Sequence, residues 1–296
     1  MLLLHLGGSM PNLRFAVIGG DLRQVYLANY LFTKGHTVIV YGLQHAQLLK
    51  GCIQAVNVQQ LIAPNTHVIL PLPVTKDGAN LFITQSEQTF PIDQLKELIT
   101  TSNPIYCGVM PKELAAFCEY RHIPYYDLMA DSAVAIRNGI ATAEGAIAHA
   151  VFESSSTLHK SNALVVGYGR CGKVLAHKLA GLDANVSIAA RKACDLALAD
   201  SYGYKAIHMN RLKRNIGRFS FIFNTVPAPV LTSDLLSRLQ PNTVIIDIAS
   251  VPGGTDFNYA KKHNISAKLC LGIPGKTAPK TSGEILAEAI LSHSFS

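Results

Sequence analysis

The segment that most constrains the fold is Asn162-Ala-Leu-Val-Val-Gly167-Tyr-Gly-Arg-Cys-Gly172, which runs on into Lys173-Val-Leu-Ala-His-Lys-Leu-Ala180. It reads as an apolar strand, a GxGxxG turn and a helix. In that order Gly167 permits the tight turn, Gly169 lets a pyrophosphate approach the backbone, and Gly172 lets the helix pack on the strand. The helix N-terminus then attracts the anion. A second apolar strand, Asn185-Val-Ser-Ile-Ala-Ala190, follows at the distance a dinucleotide-binding βαβ unit requires.

NAD-specific folds place an acidic residue where that second strand ends, to accept from the ribose hydroxyls. This chain has Arg191-Lys192 there. Two cations suit a 2′-phosphate better than a ribose diol, and the guanidinium fork matches phosphate oxygens. The expected cofactor is therefore NADP. Its expected contacts are Gly167, Tyr168, Gly169, Arg170, Cys171, Gly172, Arg191 and Lys192.

A chain of 296 residues exceeds one ordinary core and suits two domains. With 49% hydrophobic and 15% charged residues it has ample core material and little tendency to disorder. The net charge of +7 is spread along the chain and not gathered in runs, which argues for anionic small molecules and against nucleic acid. Six cysteines at 52, 107, 118, 171, 194 and 270 show no metal-ligand or CxxC spacing, so no metal site is expected and reduced core thiols are. No apolar run reaches membrane-spanning length. The opening Met1-Leu-Leu-Leu-His-Leu-Gly-Gly-Ser lacks a cationic start, and Met10 reads as the natural first residue.

Strand and helix patterns alternate along the chain, the arrangement of parallel sheets covered by helices. Strands are predicted at 13–18, 37–41, 67–70 and 104–107, with helices after Asp21, at 91–100 and at 111–121, and later strands at 219–224, 243–248 and 268–273. The Gly19-Gly20-Asp21 turn lacks a third glycine and reads as structural. An Ala-rich helix from Ser132 to about Ser154 precedes the polar Ser154-Ser-Ser-Thr-Leu-His-Lys160. The expected fold is α/β, with two doubly wound parallel-sheet domains joined by that helix. The first spans residues 10–153, with a return helix at 279–296; the second, the dinucleotide domain, spans 154–278.

Ligands of open α/β sheets bind at the carboxyl ends of the strands. In the second domain three successive strand ends carry Asn224-Thr-Val-Pro-Ala-Pro229, then Ala249-Ser-Val-Pro-Gly-Gly254-Thr-Asp256, then Gly272-Ile-Pro-Gly-Lys276-Thr277-Ala-Pro-Lys280-Thr281. Rigid Pro and permissive Gly beside hydroxyls and lysines suit a preorganised anion site, although each alone also suits an ordinary turn. Asn224, Thr225, Val226, Pro227, Ala249 and Ser250 are assigned to the cofactor. Gly253, Gly254, Gly275, Lys276, Thr277 and Lys280 are assigned to the substrate. Lys76, after a first-domain strand, and Asn138 and Thr142, on the connecting helix, complete the substrate set. Glu144 and Asp256 are the candidate carboxylates for proton transfer, with a hinge hydrogen bond and a helix cap as the alternatives. No histidine falls on these loops, so none is nominated as base.

Val17-Ile-Gly-Gly-Asp21, Ile69-Leu-Pro-Leu-Pro73, Ala143-Glu-Gly145, Asp247-Ile-Ala-Ser250 with Pro252-Gly-Gly-Thr-Asp-Phe257, and Gly272-Ile-Pro-Gly275 with Ala278-Pro-Lys-Thr281 closely resemble the A-subunit family of dipicolinate synthases from spore-forming bacteria. The resemblance covers nearly the whole chain after Met10, and the last two motifs are the specific ones. It implies oxidation of dihydrodipicolinate, a dicarboxylate, to dipicolinate during sporulation. It also implies a flavoprotein-like B-subunit partner and the mother-cell cytoplasm; a homo-oligomer is a further possibility. It carries over no assured catalytic residue. Two other readings remain open: a different NADP-dependent two-domain oxidoreductase, and a non-catalytic NADP-binding protein that organises a catalytic partner.

Overall fold

The computed structural model of the protein describes residues 11–295, so the expectation about residues 1–9 and a start at Met10 lies outside the described residues. The chain separates into two compact units. One runs to Val134 and resumes at Pro279; the other is Ala135–Ala278. The division falls in the first turn of the long helix, whereas the polar break at 154–160 suggests a boundary after residue 153.

In the first unit the strands β1 (Arg14–Ile18), β2 (Thr37–Tyr41), β3 (Ile53–Gln54), β4 (Thr66–Ile69), β5 (Ile105–Cys107) and β6 (Tyr125–Asp127) pair in parallel in the order β3-β2-β1-β4-β5-β6. The helices are α1 (Leu22–Thr33), α2 (Ile92–Leu98), α3 (Lys112–Tyr120) and the start of α4 (Ser132–Glu153). The central strand β1, Arg-Phe-Ala-Val-Ile, alternates its side chains between two buried clusters. Ala16 and Ile18 enter one; Phe15 and Val17 enter the other. Both faces are therefore apolar, as a parallel sheet demands.

The Gly19-Gly20-Asp21 turn leads into a capped helix. Asp21 caps α1 by accepting from the Arg23 backbone N–H at 3.0 Å, and Gln24 reaches back to the Asp21 N–H at 3.2 Å. The buried Arg23 guanidinium pairs with Asp21 at 2.8 Å and donates to the Leu72 carbonyl at 2.6 Å, tying the loops after β1 and β4 together.

In the second unit β7 (Asn162–Val166), β8 (Asn185–Ala190), β9 (Lys205–His208), β10 (Phe221–Asn224), β11 (Val244–Asp247) and β12 (Ser266–Leu269) form a parallel sheet ordered β12-β11-β10-β7-β8-β9. Its helices are the rest of α4, then α5 (Arg170–Ala180), α6 (Ala193–Ser201), α7 (Ser233–Leu236), α8 (Phe257–Lys262) and α9 (Ile273–Thr277). Both sheets have the doubly wound 3-2-1-4-5-6 order, so each has a switch point beside its first strand. The closing helix α10 (Pro279–Ser294) belongs to the first unit, as expected. It lays Leu286, Ala287 and Ile290 into the cluster containing Leu27, Ala28 and Leu31 of α1.

Two local predictions shift. The strand expected at 268–273 is β12 at Ser266–Leu269. Gly272 adopts a left-handed conformation at φ 63°, and Pro274 sits at the start of the next helix. That pairing of a permissive glycine with an N-terminal proline starts a helix in place of a loop. Residues 273–277, expected as part of a loop, are consequently helical.

Candidate functional site

The site is assembled at the switch point of the second sheet. Strand β7 is wholly apolar from Ala163 to Val166, so the chain leaves the core at Gly167, whose φ of 92° suits a residue without a side chain. A Cβ at Gly167 would stand 2.4 Å from Thr225 Oγ1, and one at Gly172 would stand 2.3 Å from the Gly167 carbonyl oxygen. Nothing lies within 4 Å of where a Cβ on Gly169 would be. The first and last glycines of the motif thus permit close packing, and the middle one faces open space beside the N-terminus of α5. Gly169 caps α5 with no side-chain hydrogen bond, leaving the first N–H groups of a three-turn helix to meet an anion.

A cavity of about 250 Å³ opens here. It is lined by Gly167, Tyr168, Gly169, Arg191, Lys192, Thr225, Val226 and Pro227, together with Ala189, Ala190, Asp195, Met209 and Val230. Eight of the residues assigned to the cofactor from sequence therefore meet in one depression. Arg191 and Lys192 are exposed and follow directly from the end of β8. Donor N–H groups, two cations and an open glycine give the depression the means to hold phosphate groups.

Other residues assigned to the cofactor stand behind this wall. Asn224, fully buried at the end of β10, accepts from the Val226 N–H at 3.1 Å and donates to the Val226 carbonyl at 3.0 Å. Thr225 Oγ1 donates to the Val166 carbonyl at 3.0 Å, joining the loops after β7 and β10. Burial pushes the Cys171 thiol up against the opposing charge of Arg170, so it stays a protonated packing group. Burial, with smaller contributions from Tyr204, Tyr202 and Asp195, holds the Tyr168 phenol up at about 12. Ala249 is buried and Ser250 exposed in the loop after β11.

The loop after β11 is organised by Asp247, a residue present in the sequence motif but given no role from sequence. Its side chain is fully buried and accepts from the Ala249 N–H at 3.1 Å, the Gly254 N–H at 2.8 Å and Thr255 Oγ1 at 2.7 Å. The Gly254 carbonyl in turn accepts from the N–H groups of Val230 at 3.0 Å and Leu231 at 2.8 Å. The loops after β10 and β11 are thereby one hydrogen-bonded body, and Val230 carries it to the cavity wall. The sequence signal was an aspartate ending an apolar strand, with Gly-Gly-Thr a few residues beyond it.

The residues assigned to substrate and catalysis lie on several elements of each unit. In the second unit Gly253 has φ 83° beside Asp247, and Gly275 is buried in α9. Thr277 Oγ1 donates to the Ile273 carbonyl at 2.9 Å, and Lys276 is exposed. Gly145 of α4 lets α9 pack closely, since a Cβ there would meet Ile273 Cγ2 at 2.2 Å. Asn138 is buried, and its carbonyl accepts from Thr142 Oγ1 at 3.2 Å. Glu144 is exposed and pairs with Lys178 at 2.8 Å; Asp256 caps α8 by accepting from the Tyr259 N–H at 2.9 Å. In the first unit Lys280 is exposed, and Lys76 Nζ lies 3.8 Å from the centroid of the Phe82 ring. Among the described residues no group of three or more His, Cys, Asp or Glu is placed to hold a metal, and all six cysteines are free. No helix among the described residues is long and apolar enough to cross a membrane.

Residues 14–129 match the family described as the N-terminal domain of the dipicolinate synthase A-subunit, and residues 146–267 match shikimate / quinate 5-dehydrogenase. The chain is 33% identical over 289 residues, 95% of each sequence, to the dipicolinate synthase A-subunit of Bacillus subtilis (strain 168). The crystal structure of the dipicolinate synthase A-subunit from Bacillus halodurans superposes with a TM-score of 0.86 at 30% identity, covering 96% of this chain and 98% of that one. A transhydrogenase from Sinorhizobium meliloti shares the fold at a TM-score of 0.67 and 12% identity, covering 94% of this chain and 91% of that one.

Proposed function

The chain belongs to the A-subunit family of dipicolinate synthases, and from that premise we propose that it oxidises dihydrodipicolinate to dipicolinate with NADP+ as hydride acceptor, working with a B subunit in the mother-cell cytoplasm. The observation that carries the cofactor reading is the convergence of Arg191 and Lys192 with Gly167 and Gly169 on one cavity. The α5 N-terminus and Gly169 receive the pyrophosphate, and Arg191 and Lys192 receive the 2′-phosphate. A dinucleotide held there would supply the hydride acceptor for an oxidation in which the substrate ring loses a hydride and one proton and becomes aromatic. Aromatisation supplies driving force, so the protein's chief task is to hold the ring in position. Lys276, exposed at the last turn of α9, is the cation assigned to a substrate carboxylate. Glu144 and Asp256 act structurally in this reading, because Lys178 and the Tyr259 N–H occupy their carboxylates.

Titration of the chain with NADPH and NADH tests the cofactor assignment. NADPH binds at least about tenfold more tightly, and Arg191→Ala weakens it roughly 10- to 100-fold, the worth of one charge-assisted phosphate contact. Equal affinity for the two cofactors, or an indifferent Arg191→Ala, refutes it. Dihydrodipicolinate and NADP+ supplied with and without the B subunit test the reaction: dipicolinate and NADPH rise in equal amounts. Dipicolinate formed without NADPH means that the electrons leave by another carrier.

A further inference from the structure

The second unit holds a groove of about 550 Å³ that the dinucleotide reading does not use. Its wall is aromatic, with Tyr204 edge-on to Tyr168 at 6.4 Å between centroids and Tyr202 tilted against Tyr204, also at 6.4 Å. Ile136 and Ile140, one turn apart on α4, line it while 44% and 42% exposed, and Tyr202 is 65% exposed. Three large side chains left open around one depression of this size make it a candidate binding surface.

Its charge is one-sided. Lys173, His177 and Lys178 line the groove and no carboxylate does. Glu144 neutralises Lys178 at 2.8 Å, but Lys173 has no carboxylate partner among the described residues, and its Nζ stands 5.7 Å from the Tyr168 ring centroid. We propose that this groove binds an aromatic carboxylate, with the ring against the tyrosines and the carboxylate on Lys173. The tyrosine faces and edges favour a flat π-system over an aliphatic chain. The unpaired ammonium favours an anion over a neutral or cationic ring.

The position of Tyr168 gives the groove a use. It is the second residue of the glycine motif and lines both this groove and the cofactor cavity. Tyr168 is buried and forms part of both walls, so an occupant that shifts its ring alters the cofactor cavity, and ligand and dinucleotide then change one another's affinity by the same factor. This coupling rests on the dinucleotide reading above, whereas binding in the groove does not.

The test uses the full chain and 2-naphthoate, followed by calorimetric titration without cofactor. Naphthoate binds; 2-naphthalenemethanol and cyclohexanecarboxylate bind more weakly; Lys173→Met and Tyr202→Ala each weaken naphthoate about fivefold, the scale of one ion pair or one ring contact. Saturating naphthoate then changes the NADPH dissociation constant at least about twofold without displacing it. No naphthoate binding by chain that unfolds cooperatively and still binds NADPH overturns the proposal. So does naphthoate that ignores both variants and competes with NADPH, which places it in the cofactor cavity. A dimer in sedimentation that Ile140→Glu splits, with no naphthoate bound, also overturns it and assigns the groove to a second copy. Failure of NADPH to bind wild-type chain, with naphthoate behaving as stated, refutes the cofactor reading and leaves the groove assignment standing.

Discussion

Replacing Asp247 by alanine strips three donors of their acceptor at once: the Ala249 and Gly254 N–H groups and the Thr255 hydroxyl, gathered around a fully buried carboxylate. A buried donor left unmet costs about 1–3 kcal/mol, and the hydroxyl can turn to another acceptor, so Asp247→Ala destabilises the second unit by about 3–5 kcal/mol. Asparagine keeps one acceptor oxygen. Placed where it still serves Gly254 and Thr255, it points its amide at the Ala249 N–H, so Asp247→Asn loses about 1–2 kcal/mol. The protein has eleven Tyr and no Trp, so urea unfolding followed by tyrosine fluorescence, with circular dichroism in parallel, measures both variants by linear extrapolation. Because the Gly254 carbonyl holds Val230 at the cavity wall, NADPH affinity falls in the same order, alanine below asparagine below wild type. An alanine variant that loses under about 1 kcal/mol, or loses stability with cofactor affinity untouched, refutes the view that Asp247 binds the two loops into one wall.

Gly172→Ala pushes a methyl to 2.3 Å from the Gly167 carbonyl oxygen, so the turn must open and NADPH binding drops more than about tenfold; Gly203→Ala, where space is open, leaves that affinity unchanged although φ of 79° costs about 1 kcal/mol of stability. Two histidines of the first unit make folding sensitive to mild acid. Burial lowers the pKa of His36 and of His67, with the His36 charge adding for His67, so both resist protonation when folded. The unfolded chain binds protons below the ordinary imidazole value of 6.5 before the folded chain does, so stability is lost as pH falls below about 6.5 and His36→Gln flattens that slope; a slope identical to wild type in urea midpoints from about pH 7 to 5 refutes it. A thiol reagent modifies the exposed Cys194 first, while the buried Cys118, pushed up to about 11 chiefly by burial, reacts only on unfolding; mass spectrometry of the native chain after short labelling checks the order.

The strand–glycine turn–helix unit was the most legible part because its constraints are local. A strand, three glycines and a helix of eleven residues specify their own turn, and Arg191 follows the next strand directly, so chain order alone places both on one cavity. The parallel sheets and the return of α10 to the first unit were likewise readable from alternation of strand and helix patterns. Less legible were β3, β6 and β9, whose strands are short or carry polar residues, and α6, whose alanines show little helical periodicity. The expected Pro-Gly loop after β12 became α9, because Pro274 and the left-handed Gly272 start a helical turn that packs on Gly145, a residue far earlier in the chain.

Residue type and spacing within a few dozen positions were enough to specify the two parallel sheets, the glycine turn and the sign of charge at the end of β8. Which side chains were already occupied depended instead on packing. Lys76 lies over Phe82, Glu144 pairs with Lys178 across 34 positions, and Asp256 caps its own helix. Only the structure, too, drew Asp247, Gly254 and Val230 into one wall. A charge or a donor has no function until its partners are known, and those partners arrive through packing between segments that are distant in sequence.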